Sequence, residues 1–62
     1  MMYRFLIVDD EYYIRQHIRC CIPWEDYDFQ YAGEASNVPQ AMEFLEHNAV
    51  ELILLDISMP GQ

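Results

Sequence analysis

The sequence predicts an α/β fold, and three observations carry that prediction. Apolar runs at 3–8 and 50–55 have the length and the β-branched or aromatic content of buried strands. The segments at 11–22 and 37–47 instead repeat their apolar residues at helical spacing. The connections between runs are short, so the order reads βαβαβ, which builds a parallel sheet with right-handed crossovers.

Each element has its own justification. The first strand, Tyr3 to Val8, ends in Asp9-Asp10-Glu11. In the helix that follows, Ile14, Ile18, Cys21 and Ile22 form the expected buried stripe, while Arg15, Gln16 and Arg19 are expected to face out. Asp10 or Glu11 complements the helix dipole, and Pro23 stops the helix because the residue before a proline avoids helical geometry. Trp24 to Asp28 reads as a loop, and Phe29 to Ala35 as a weakly alternating strand. Asn37 can cap the second helix, Gln40 can complete a capping box, and Pro39 fits the first turn. Ala41, Phe44 and Leu45 form its buried face, and Asn48 is a left-handed stop. The third strand, 50–55, is apolar except for Glu51, as suits a strand covered on both faces.

Composition narrows the function classes. Sixty-two residues make one small domain of marginal stability. Eleven acids against three basic residues, none of them lysine, give a formal charge of -8. That balance argues against direct nucleic-acid contact, which needs a basic patch, and suits a cation or a basic partner. Cys20 and Cys21 are adjacent and show no metal spacing, so they read as reduced helix residues of a cytoplasmic protein. No apolar run approaches the ~20 residues of a membrane span.

The chemistry sits in the acids. Leu52-Ile53-Leu54-Leu55 runs into Asp56, as Phe5-Leu6-Ile7-Val8 runs into Asp9 and Asp10. In α/β sheets ligands bind beyond the C-terminal strand ends. Carboxylates gathered there repel one another by roughly 4 kcal/mol per pair at about 4 Å and an effective dielectric near 20. A cation between them relieves this, and an all-oxygen donor set with few ligands favours Mg²⁺. The bland reading is that Asp9 and Asp10 only cap a helix and Asp56 only ends a strand. Two such motifs in the right order make that reading the weaker one.

Three stretches together resemble the receiver domain of two-component response regulators: Leu6-Ile7-Val8-Asp9-Asp10-Glu11, Gly33-Glu34-Ala35-Ser36-Asn37, and Leu54-Leu55-Asp56-Ile57-Ser58-Met59-Pro60-Gly61. The segment from Ile22 to Phe29 is similar to a subgroup whose receivers precede AraC-type DNA-binding domains. The resemblance covers the N-terminal half of a receiver. It implies the βαβαβ half of a flavodoxin-like doubly wound sheet, strand order 2-1-3, with residues 1–62 as a truncated receiver domain.

The resemblance also implies roles. Asp56 is the phosphoacceptor, phosphorylated by a sensor histidine kinase. Asp10, Asp56 and the backbone carbonyl of Ser58 ligate Mg²⁺, and Asp9 acts mainly through a metal-bound water. The domain is then an acceptor rather than an enzyme, with a transcriptional output through a DNA-binding domain outside this chain. Three departures stand out. Val38 and Asp28 replace glycines, and Asp tolerates left-handed geometry. The fourth and fifth strands, with the Ser or Thr and the Lys that contact phosphoryl oxygens, have no counterpart here. Phosphotransfer by this segment is therefore expected to be impaired, since such donors are worth ~3–4 kcal/mol each.

The same comparison leaves the third strand at an edge, an association hazard. A homodimer that pairs third strands about a two-fold axis is the simplest expected remedy, with a swapped dimer or a longer parent protein as close competitors. Competing functions are a non-catalytic assembly module with receiver-like sequence, a phosphohydrolase and a nucleotide-binding unit. Ser58 stands where the phosphohydrolase chemistry wants a second acid, and no G-x-G-x-x-G follows the first strand. His17 reads as solvated or packed, His47 as a helix-end residue that favours the dipole, Tyr12 and Tyr13 as helix-face residues beside the acids, and Trp24 as a reporter of folding.

Overall fold

The computed structural model describes residues 2–55. Asp56, Ser58 and the Met59-Pro60-Gly61 stretch lie outside the described residues. The elements run β1 (Tyr3–Val8), α1 (Tyr12–Cys21), a 3-10 turn (Trp24–Tyr27), β2 (Phe29–Ala35), α2 (Val38–His47) and β3 (Leu52–Leu55). The strands form one parallel sheet in the order β2-β1-β3. Fold class and strand order are therefore those the sequence predicts.

β1 is central, and its composition explains why. Phe5, Leu6, Ile7 and Val8 are essentially inaccessible. Burying each such side chain stabilises by about 1.5–3 kcal/mol. Leu6 and Val8 point to one face and pack with Ala35, Ala41, Phe44, Leu45 and Val50 under α2. Phe5 points to the other, where Trp24 lies 4.3 Å away ring to ring, with Tyr31 at 5.9 Å and Phe29 at 6.5 Å.

A bulge in β2 explains its weak alternation. Phe5 pairs with Tyr31, but Leu6 pairs with Gly33, so Ala32 is the extra residue. Without it Tyr31 and Glu34 would face opposite sides of the sheet. With it both face α1, while Gly33 and Ala35 turn towards α2. Gly33 is needed there, because a Cβ at that position would stand 2.6 Å from Phe44 Cε2.

The connections follow local chemistry. Asp28 takes the left-handed conformation, φ 64°, and closes the 3-10 turn through its N–H. Asn37 accepts from the Gln40 N–H at 2.8 Å, and the Gln40 side chain reaches back to the Ser36 N–H at 2.9 Å. The cap works as read, with the return bond one residue earlier than a capping box places it.

Five expectations need correction. The 24–28 segment is largely a 3-10 turn rather than irregular loop. Asn48 is extended, φ -143°, and stops α2 instead by donating its side-chain amide to the Phe44 carbonyl at 3.1 Å. β3 starts at Leu52, because Val50 drops into the core and the Glu51 carboxylate accepts from the Arg4 N–H at 2.9 Å. It is also not covered on both faces: Ile53 and Leu55 are 45% and 47% exposed. Finally, the polar residues Arg15 and Gln16 of α1 turn inward, whereas Ile14 and Ile22 are exposed. The cause is Glu34, an acid on the inner face of β2 that draws cationic and amide partners to it.

Candidate functional site

The site lies where the strands end. Val8 pairs with both Ala35 and Leu55, so β1, β2 and β3 finish at one edge of the sheet. Asp9 continues from β1 and donates its N–H to the Ala35 carbonyl at 3.0 Å. It is the one buried charged residue among those described, 4% exposed. Its Oδ1 accepts the Glu11 N–H at 2.9 Å, which fixes the carboxylate at the mouth of α1. Asp10 is exposed beside it. A shallow cleft of about 290 Å³ adjoins Asp9, lined also by Val8, Ile18, Leu54 and Leu55.

Of the predicted site residues, Asp9 and Asp10 thus stand together at the C-terminal edge. Asp56 and Ser58 lie outside the described residues. Among the described residues no three His, Cys, Asp or Glu side chains converge on one point. The donors that are described are all carboxylate oxygens, the hard set that suits Mg²⁺. One of them, Asp9, is held in place by the Glu11 backbone N–H.

Sequence reasoning missed a supporting network. Arg15 Nη1 donates to the Asp9 carbonyl at 2.7 Å, and Arg15 Nε to Glu34 at 2.9 Å. Glu34 also accepts from Gln16 Nε2, at 2.9 and 3.0 Å, and from the Tyr31 hydroxyl at 2.8 Å. Arg19 lies over the Tyr31 ring, 4.1 Å from its centroid. The Arg15 guanidinium therefore ties the acid-bearing loop to α1 and β2 together. The signal was present in composition: an acid inside an otherwise apolar strand needs a cation, and the chain has only three basic residues to offer.

The network perturbs both of its titrating members. Burial pushes the Glu34 carboxyl up, but the hydrogen bonds from Arg15, Tyr31 and Gln16 and the Arg15 charge outweigh it, so the group sits below 4.5. Burial, the hydrogen bond to Glu34 and the Glu34 charge raise the Tyr31 phenol to about 12, against the opposing charges of Arg19 and Arg15.

Tyr12 and Tyr13 are 57% and 82% exposed and meet edge to face at 5.4 Å. Neither covers the Asp9 cleft. Trp24 donates to the Ile18 carbonyl at 3.0 Å and packs on Phe5, and it is not among the residues that line the Asp9 cleft.

A central strand that delivers a buried aspartate to the C-terminal edge of a parallel 2-1-3 sheet defines a class of α/β domains whose ligand edge lies at the strand ends. The response regulator receiver domain model matches residues 5–62, and the chain belongs to that family. It is similar to an uncharacterized response regulatory protein of Staphylococcus epidermidis, 36% identical over 59 residues, covering 95% of this chain and 24% of that protein. It is similar also to the transcriptional regulatory protein HptR of Staphylococcus aureus, 36% identical over 59 residues, covering 95% of this chain and 23% of HptR. The chain therefore spans about a quarter of the length of these relatives. No solved structure matches it at a significant level. Receivers in general bind Mg²⁺ at the phosphorylation site, and response regulators in general are phosphorylated by sensor histidine kinases. No helix among the described residues is long and apolar enough to cross a membrane.

Proposed function

We propose that this chain is the N-terminal, acid-bearing part of a phosphoacceptor receiver. Asp56 receives a phosphoryl group from the phosphohistidine of a sensor kinase. One carboxylate oxygen of Asp56 attacks phosphorus, the P–N bond to the kinase imidazole breaks, and an acyl phosphate forms. Asp10, Asp56 and the Ser58 carbonyl hold Mg²⁺, with Asp9 reaching it through water. The ion supplies neutralisation of the acids and alignment of the phosphoryl group when bound. The named function of HptR supports a transcriptional output, exerted by a DNA-binding domain outside residues 1–62.

One observation carries the reading. Val8 and Leu55 are register partners in β1 and β3, and the next residue after each is an aspartate, Asp9 and Asp56. Buried Asp9, pinned through Glu11, Ala35 and Arg15, gives that edge a fixed negative wall.

The test is intact mass after incubation with Mg²⁺ and a small acyl phosphate. A slow, sub-stoichiometric single phosphoryl adduct is expected, lost in Asp56→Asn. The slowness follows from the lack of any lysine in the chain to meet the phosphoryl charge. An adduct that persists in Asp56→Asn removes Asp56 as acceptor. A folded chain with no adduct assigns this segment the assembly role instead. The exposed apolar residues of β3 favour that second reading.

A further inference from the structure

α1 carries a pair of donor atoms that the phosphoacceptor reading leaves unused. His17 and Cys21 are four residues apart and share a helix face. Nδ1 of His17 lies 3.3 Å from Sγ of Cys21. In a tetrahedral zinc site, with Zn–N near 2.05 Å and Zn–S near 2.3 Å, two such donors stand about 3.5 Å apart. The pair therefore holds nearly the spacing of a chelate before a metal arrives. Both residues are exposed, and Cys21 is a free thiol. Nitrogen and sulfur donors select a borderline-soft ion over Mg²⁺.

Two ligands fill half a tetrahedron, and the surroundings of His17 indicate what fills the rest. Its neighbours on the helix surface are Tyr13, Ile14, Cys20 and Cys21, all exposed. Tyr13 is 82% and Ile14 45% exposed. None of the four carries a fixed charge, in a chain whose formal charge is -8. Contact between two copies at these residues sets no like charges against each other and buries apolar surface.

We propose that His17 and Cys21 form a half-site for Zn²⁺, closed by the same pair from a second copy about a two-fold axis. The product is a Cys₂His₂ centre at a helix–helix contact. Each thiol gives up its proton to solvent as its sulfur binds, so the site weakens as pH falls. This centre is independent of the acids at the strand ends and does not need them phosphorylated.

Cobalt titration of the reduced 62-residue chain, with excess Mg²⁺ to occupy carboxylates, tests it. Expected is a thiolate-to-cobalt charge-transfer band that saturates at one metal per two chains and is erased by Zn²⁺. The sedimentation coefficient rises in step. Cys21→Ser and His17→Gln each remove both signals while circular dichroism stays unchanged, and Cys20→Ser keeps both. The proposal is overturned by no band, by a band that survives Cys21→Ser, by dependence on Cys20 instead, or by one metal per chain without association.

Discussion

Glu34 is the residue on which the most groups depend. It accepts from Arg15, Gln16 and Tyr31, and Arg15 in turn holds the Asp9 carbonyl. The Arg15–Glu34 pair is mostly covered, with side chains 12% and 20% exposed. Exposed ion pairs are worth little, but a covered acceptor with a cationic donor is worth more. Glu34→Gln is therefore expected to destabilise by about 2 kcal/mol, read by urea denaturation followed at Trp24. The pH dependence has a definite sign. Glu34 titrates below 4.5 in the folded state, so its stabilisation is complete above 4.5 and fades as pH falls through the lower folded value. Glu34→Gln flattens that acid limb. Tyr31 is the converse: its raised pKa favours the neutral phenol, so its contribution is complete below 10 and lost as pH rises through about 12. In Glu34→Gln the tyrosinate absorbance midpoint moves down but stops short of 10.0, because burial, the largest cause, remains. A wild-type acid limb retained by Glu34→Gln would show that other carboxylates govern acid unfolding.

At the scale of elements, the bulge at Ala32 decides which residues meet. It brings Tyr31 and Glu34 to one face and sets Gly33 against the Phe44 ring on the other. A methyl at Gly33 requires that ring to move, so Gly33→Ala is expected to cost about 1–3 kcal/mol. The obstacle is a side-chain end rather than backbone, so Phe44→Leu in the Gly33→Ala background recovers part of the loss. A double-mutant cycle with no coupling between the two positions would contradict the packing described. The same bulge marks how far the sequence could be read. Apolar periodicity placed β1, both helices and β2 closely, because Phe5 to Val8, Ala41 and Leu45 behave as hydrophobic burial requires. It failed for the face of α1, where a hydrogen-bonded acid in β2 turned Arg15 and Gln16 inward and left Ile14 exposed. Periodicity registers apolar residues and is blind to a polar anchor. The placement of Asp9 and Asp10 at the C-terminal edge was legible, because acids directly after a buried strand reach that edge. The Arg15 brace was not, because it needs the register of β2 to be known.

For the whole molecule, the uneven cover of the sheet matters most. α2 shields Leu6, Val8 and Ala35, yet Ile53 and Leu55, on that same face by register, remain about half exposed. Among the described residues β3 pairs with β1 along one edge and with no strand along the other. An apolar strand with an open edge is a template for pairing, and a chain of 62 residues has little stability in reserve to keep such a surface dry. Self-association through β3 is therefore expected, and it requires no metal, unlike the contact proposed for α1. Ile53→Lys tests it by adding a charge to the open face at a site whose β1 partner, Leu6, is already buried under α2. Sedimentation velocity across micromolar concentrations, with a chelator present, should show wild type shifting to larger species and Ile53→Lys staying smaller. Trp24 emission should be the same in both, since Trp24 packs with Phe5 and Phe29 on the opposite face of the sheet from Ile53. A wild-type chain that stays monomeric throughout would mean that the half-covered strand is tolerated in water. The charge repulsion of eleven acids would then be the force that keeps copies apart. Raising the salt concentration separates these cases. Screening promotes association if acids hold the copies apart, and leaves a monomer unchanged if β3 has no tendency to pair.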